Sequence, residues 1–314
     1  MGSEGSANAA DHLVLPPGIR PFRPDDADAV LAAMLAALER DEFEGLDRHW
    51  IEGSVKRMVE EPEHGVVAED DGRIAGWVYV LHDDLHVDLP FRRRGHGTRL
   101  AAAGRLLAPR AGLPYFRAWV PRRPEAEAFA RAAGMAYHSS LFQLRLDPSA
   151  PEAAETAAVF GEGFVARPLE PGADDPAFVA LVNEIFLDHP FPLVLDLEVA
   201  RRVHGAPEFD RSTILLVAPA TDPGSLVAFC RVGTHRDDDG RLVGEVKLLG
   251  VRRPWRGRGI ARQLVRWGIG ACRARGVEDT YLAVEGENEH AVALYESEGF
   301  GRFLEWPHWA AEPL

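Results

Sequence analysis

Cysteine is almost missing from this chain. Only Cys230 and Cys272 occur among 314 residues. Two cysteines build no disulfide framework, and neither lies in a Cys/His spacing that makes a zinc site. Cys230 stands in an apolar run that reads as a strand and Cys272 in a helical stretch. Both read as buried, reduced thiols of a cytoplasmic protein with no metal. Lysine is as scarce, with Lys56 and Lys247 alone and arginine supplying the rest of the 35 basic residues. No run approaches 18 uninterrupted apolar residues, so no membrane span is expected. Residues 1–17 lack the basic, apolar and small-residue regions of a signal peptide and read as a flexible segment ahead of the first domain. Positive charge is short overall: 49 acidic residues leave a net charge of −14. Such a field repels phosphate polymers, which excludes a general affinity for nucleic acid or anionic membrane and suits a neutral or cationic small partner.

What is present is enough chain for two domains, and 46% apolar residues from which to build two cores. The halves repeat. Shifted by 164 positions, Val87-Asp-Leu-Pro-Phe-Arg-Arg-Arg-Gly-His-Gly97 falls on Val251-Arg-Arg-Pro-Trp-Arg-Gly-Arg-Gly-Ile-Ala261. Leu100 falls on Leu264, Gly112 on Gly276 and, after a slip of one, Gly134 on Gly299. Each half opens with a short strand, at Ile19–Arg23 and Val165–Pro168. Acidic caps at Asp25 or Asp26 and at Asp175 then start helices reaching Leu38 and Phe186. Apolar runs follow around Asp-Asp-Gly in the first half and Asp222-Pro-Gly in the second, as in hairpins. These signals predict domains over 18–147 and 164–314, joined by a linker over 148–163.

In the second half, a strand over Glu245–Val251 runs into Arg256-Gly-Arg-Gly-Ile-Ala261, and a helix to Gly276 follows with Ile260, Leu264, Trp267 and Ala271 on its apolar face. A loop with little side-chain bulk at a helix N-terminus aims free backbone N–H groups outward, where the helix dipole adds positive charge. Pyrophosphate binds such a place. A P-loop would need Gly-Lys-Ser/Thr, and a dinucleotide fingerprint would need a small residue where Arg262 stands. A tight turn with solvated arginines is the plain alternative.

The pattern Arg-x-x-Gly-x-Gly/Ala after a strand ending in valine resembles the acetyl-CoA loop of the GCN5-related N-acetyltransferases. Gly286-Glu-Asn-Glu-His-Ala-Val-Ala-Leu-Tyr-Glu-Ser-Glu-Gly-Phe300 resembles that family's later Asn-x-x-Ala-x-x-Leu-Tyr-x-x-x-Gly-Phe motif. The match covers roughly residues 165–305; in the first half it rests on Arg92–Gly97 and Gly134. Two such domains in one chain are similar to the mycothiol synthase branch of the family. The resemblance implies an α/β fold of two tandem domains, each a mixed, mostly antiparallel sheet flanked by helices. It implies an enzyme that moves acetyl from acetyl-CoA to a primary amine, in the mycothiol synthase case the cysteinyl amine of a glucosaminyl-inositol thiol.

It also assigns roles. Arg256, Gly257, Arg258, Gly259, Ile260 and Ala261 would hold the pyrophosphate. Backbone at Leu249, Gly250 and Val251 would pair with the pantetheine arm, and an amide there would polarise the thioester carbonyl. Asn288 would contact that arm, or simply cap a helix. Tyr295 would protonate the leaving sulfur, or pack beside Leu294. Glu245 would take the amine proton, since alternation over six residues places it on the face of Val251; otherwise it is a solvated partner of Lys247. In the first half, Val87, Arg92, Arg93, Arg94, Gly95, His96 and Gly97 keep a cofactor loop, or a solvated charge run. Ala130, Leu81 and Arg123 stand where Tyr295, Glu245 and Asn288 would be, so no catalysis is expected there. Asp188 and His189 would attract the acceptor ammonium. A peptide or protein amine as acceptor, and a non-catalytic acyl-CoA sensor, stay open, as do monomer and homodimer.

Overall fold

The computed structural model describes residues 13–40, 42–43, 46–149, 160–187 and 194–314. In chain order the elements are β1 (Ile19–Pro21), α1 (Ala27–Glu39), α2 (Arg48–Glu60), β2 (Gly65–Asp70), β3 (Arg73–Tyr79), β4 (Asp84–Val87), α3 (His96–Leu107), β5 (Phe116–Trp119), α4 (Pro124–Ala132) and β6 (Ala136–Leu146). They continue with β7 (Phe164–Pro168), α5 (Asp175–Phe186), α6 (Leu197–His204), β8 (Ile214–Pro219), β9 (Ala228–Arg236), β10 (Leu242–Val251), α7 (Ile260–Arg273), β11 (Asp279–Glu285), α8 (Glu289–Ser297) and β12 (Phe300–Ala311). The chain forms two compact units: residues through Ser140 with Trp306–Leu314, and Leu141–Glu305. These borders differ from those expected of the sequence. The end of the first repeat pairs with β11 in the second unit through Leu141–Arg145, and the end of the chain, Trp306 onward, completes the first.

In the first unit, β1–β2–β3–β4 form an antiparallel sheet. The β2–β3 turn is tight because Asp71 and Gly72 both take positive φ, 50° and 71°. β5 pairs antiparallel with the end of β12, Trp119 against His308. One apolar cluster joins α3 to Val66, Val78, Phe116 and Trp309; another joins α1 and α2 to Trp77 and Tyr79. α2 has no counterpart among the elements expected above, yet its signals are present in the sequence. Asp47 caps it through Trp50 N–H at 2.7 Å, and Ile51, Val55 and Met58 recur at helical spacing and are buried.

In the second unit the strand order is β6–β11–β10–β9–β8–β7, antiparallel except between β10 and β11. This is the mixed, mostly antiparallel sheet expected. α7 covers one face with Ile260, Leu264, Val265, Ile269 and Cys272, so its buried stripe is turned slightly from the expected one, with Trp267 and Ala271 at the flank. α5 covers the other face, around Phe178, Leu181, Val182 and Phe229. Glu298, just past α8, accepts from Arg262 and from Arg266 at 2.7 Å, fastening α8 to α7.

The acidic caps act differently from the simple expectation. Asp26 and Asp174, rather than Asp175, hold the N-cap positions, and neither caps with its side chain. Each reaches back to the opening strand instead. Arg20 donates to Asp26 at 2.7 and 2.8 Å, and Arg167 makes the same forked pair with Asp174. Asp26 also accepts Arg23 N–H and Asp174 accepts Glu170 N–H. The guanidinium in each pair holds the carboxyl below the usual range. One fastening used twice is structural support for the repeat.

Candidate active site

The two sheet partners of β10 part company at one residue. β10 pairs with β11 only from Val243 to Val246, although β11 continues to Glu285. A bulge falls between Val246 and Leu248 on β10, and from Leu248 to Val251 the strand pairs with β9 alone. The opposite backbone edge of Leu248–Val251 is therefore open to an extended ligand. The bulge inserts one residue, Lys247, and reverses the alternation beyond it. Gly244 and Val246 face α7 before it; Leu249 and Val251 face α7 after it. Glu245 thus lies on the α5 side with Leu248 and Gly250, opposite Val251. The expectation that Glu245 and Val251 share a face is corrected: six residues of plain strand would give it, but six residues containing a bulge do not.

β10 runs directly into the glycine loop. Arg256 folds back, its Nε donating to Val251 O at 3.0 Å. Gly257 and Gly259 follow at φ +76° and +77°. A Cβ on either would meet nothing within 4 Å, so glycine serves conformation here, not space. The first backbone bond of α7 is Gln263 N–H to Gly259 O. The amides of Gly257, Arg258, Gly259, Ile260 and Ala261 meet no backbone acceptor among the described residues. Together with the dipole of a 14-residue helix they form an anion site. Arg258 lies over the Trp255 ring, 4.8 Å from its centroid.

Tyr295, on α8, joins the apolar cluster that contains Leu249, Val251, Ile260 and Ala261. The open edge of β10, the loop and this phenol are thus brought together. The ring is half-buried, its edge to Phe300 at 6.3 Å, and burial pushes the phenol up to about 12. It stays protonated at neutral pH, and its hydroxyl bonds to no described group. Asn288 takes the N-cap of α8, its Oδ1 accepting Ala291 N–H at 3.3 Å, which leaves its amide NH₂ to point elsewhere. Glu245 is half-buried, with Lys247 Nζ 3.5 Å from its Oε2. Asp188 and His189 lie outside the described residues.

The first unit repeats the turn with different surroundings. Arg92 Nε donates to Val87 O at 2.8 Å, as Arg256 does to Val251. Gly95 takes φ +80°, and Arg93, in the place of Gly257, takes φ +65° at a cost glycine avoids. The cations here have carboxylate partners: Arg92 pairs with Glu42, and Arg94 with Asp70 at 3.1 Å. His96 is buried between Asp70, 3.1 Å from Nε2, and Arg99, whose guanidinium donates to Nδ1 at 3.0 Å. Those bonds fix the Nε2–H tautomer. Ala130 is a buried core residue, Arg123 makes no side-chain cap, and Leu81 lies exposed in the turn between β3 and β4. On β4, His86 stands opposite Trp77 as Gly250 stands opposite Phe229. Its ring stacks on Trp77 at 4.6 Å, and burial lowers its pKa to about 4, so it is neutral.

β4 carries one further perturbed group. Burial raises the Asp84 carboxyl to about 7, against a hydrogen bond from Ser54 Oγ at 3.1 Å that favours the charged form. A folded-state pKa above the unfolded value of ~4 means the native state holds the extra proton between those limits, so stability falls as pH rises from 4 to 7. Asp84→Asn is expected to stabilise at pH 8 relative to pH 4 by about 2 kcal/mol, discounted for the solvent contact the residue keeps. The comparison must be the difference between variant and wild type. Neutral His82 and His86, both near 4, act with the opposite sign below pH 6.5 and cancel in that difference. Urea titrations at the two pH values measure it.

With this geometry, comparison with known proteins gives a consistent result. Residues 180–300 match the model of the acetyltransferase (GNAT) family. The chain is 32% identical over 288 residues to a mycothiol acetyltransferase of Thermobispora bispora, covering 89% of this chain and 94% of that one. It is 33% identical over 311 residues to a mycothiol acetyltransferase of Kineococcus radiotolerans, covering 93% and 95%. Among solved structures, a GCN5-related N-acetyltransferase of Sphaerobacter thermophilus superposes with a TM-score of 0.66 at 24% identity, covering 95% of this chain and 97% of that one. A tandem GNAT protein from the clavulanic acid biosynthesis pathway gives 0.62 at 18%, covering 94% and 98%. The chain belongs to the GNAT acetyltransferase family, in its tandem form, and is an N-acetyltransferase. No helix among the described residues is long and apolar enough to cross a membrane.

Proposed function

We propose that the second unit transfers acetyl from acetyl-CoA to the primary amine of a small molecule. The observation that carries this reading is the open edge of Leu248–Val251 running straight into a loop of free amides, with Tyr295 in the same cluster. The residues fit acetyl-CoA. Amides of Gly257–Ala261 suit its pyrophosphate, with Arg256 and Arg258 beside them. The edge at Leu249, Gly250 and Val251 suits an extended pantetheine, and an amide there would stabilise the oxyanion of the tetrahedral intermediate. The Asn288 amide, free of the cap its Oδ1 makes, would bond the same arm.

Transfer to an amine also requires loss of an ammonium proton and protonation of the departing thiolate. Glu245 serves the first, directly or through water, from the α5 side of the sheet. Tyr295 serves the second from its hydroxyl. The first unit is non-catalytic in this reading, because it lacks both groups and His86 fills the place of Gly250. Its loop keeps the turn for a pyrophosphate, but Glu42 and Asp70 compete for its cations, so it holds acetyl-CoA more weakly.

The test is release of CoA thiol from acetyl-CoA against a panel of amines: amino sugars, polyamines, amino acids and short peptides. The resemblance to mycothiol synthase adds the cysteinyl-glucosaminyl-inositol thiol as a further member, followed by product mass. Turnover of a small amine supports the reading. Turnover of peptides alone, or binding of acetyl-CoA without turnover of any member, contradicts it.

A further inference from the structure

Three charged groups stand together on the α5 side of β9 and β10. Arg231 projects from β9 between Ile214 on one neighbouring strand and Leu248 on the other. Arg231 is half-buried, and its guanidinium bonds to no described group. Burial lowers its pKa, with only the nearby Glu245 carboxylate opposing. Two residues along β9, Gly233 lies opposite Glu245. A Cβ on Gly233 would fall 2.3 Å from Lys247 Cε, so the lysine stem lies across the bare glycine. Lys247 is the extra residue of the bulge, and its Nζ is 3.5 Å from Glu245 Oε2. Two cations therefore meet one carboxylate, an excess of positive charge in a chain of net charge −14. A half-buried arginine with no ion pair among the described residues costs the fold stability.

We propose that Arg231 and Lys247 hold an anion, a carboxylate or a phosphate monoester, carried by the amine acceptor of the second unit. The inference rests on reading that unit as an N-acetyltransferase, and it narrows the acceptor to molecules bearing an amine and an anion. Glu245, on the same face, then meets the ammonium end while the two cations hold the anionic end. A charge-assisted bond to a guanidinium also orients the acceptor, which a neutral amine of the same shape forgoes.

Matched pairs of amines test this. Wild type, Arg231→Met and Lys247→Met are assayed with acetyl-CoA and L-methionine against 3-(methylthio)propylamine, and with glucosamine 6-phosphate against glucosamine. Turnover is read in each case, and so is the melting temperature with CoA present. In at least one pair the anionic member should be favoured by about tenfold or more in kcat/KM or should alone raise the melting temperature, and Arg231→Met should remove that preference. Which pair responds separates carboxylate from phosphate. The KM for acetyl-CoA should hold, and ligand-free Arg231→Met should melt no lower than wild type. Lack of anion preference in both pairs by both readouts overturns the proposal, as does an unchanged preference in Arg231→Met accompanied by a lower melting temperature. If wild type fails to bind acetyl-CoA, the transferase reading falls as well; intact binding without anion preference removes this proposal alone.

Discussion

Tyr295→Phe should lower kcat by about a hundredfold and leave the KM for acetyl-CoA within about twofold. The change deletes one hydroxyl and keeps the ring against Phe300, so the cluster around Val251 and Ile260 stays packed. The size of the loss follows from the acid's own pKa. General acids contribute ~10²–10⁴ and work best when matched to the task. A phenol pushed up to about 12 is a reluctant donor to a thiolate whose own pKa is ~8.5, which places the effect at the lower end. Steady-state kinetics with the amine found in the panel measures it. A Phe variant at full rate would show that the sulfur takes its proton elsewhere.

Gly257→Val should weaken acetyl-CoA binding by more than about tenfold while costing the fold about 1–3 kcal/mol. No atom stands within 4 Å of the missing Cβ, so the effect cannot be a clash. It comes from φ +76°, which a β-branched residue resists. The loop relaxes, and the amides of 257–261 turn from their common focus. Gly257→Asn should bind better than Gly257→Val, because asparagine tolerates the left-handed region. Arg93 at φ +65° in the first unit shows that a non-glycine residue can hold this turn when its surroundings enforce it. Calorimetric titration of acetyl-CoA into the two variants separates strain from bulk. Equal affinity in both and in wild type would sever the loop from the cofactor.

The glycine loop was legible because its chemistry is local. Left-handed φ at Gly257 and Gly259, and the small residues around them, are written in the residue types. The repeat was legible for the same reason, since Arg92 and Arg256 each close an equivalent turn. Non-local features were hidden. Nothing in Gly244–Val251 announces a bulge at Lys247, because bulges depend on the partner strand; the error about the face of Glu245 follows from that alone. The exchange of chain ends at Ser140 and Glu305 is a choice between partners that the strand sequences of β6 and β12 do not state. Arg231 hides inside the apolar run Leu226–Val232. A single arginine in a strand otherwise buried was the available signal, since such a charge is placed there at a cost. Asp25 or Asp26 and Asp175 read as caps because acidic residues before helices usually are; the structure puts Asp26 and Asp174 at those positions, and each pairs with an arginine on its opening strand.

Backbone hydrogen exchange with and without acetyl-CoA reads, amide by amide, where the cofactor sits. New protection is expected at the amides of Leu248–Val251 and Gly257–Ala261, with weaker protection at Arg92–Gly97. Protection confined to the first unit, or acetyl-CoA binding with no change at the open edge of β10 and its loop, would contradict that placement.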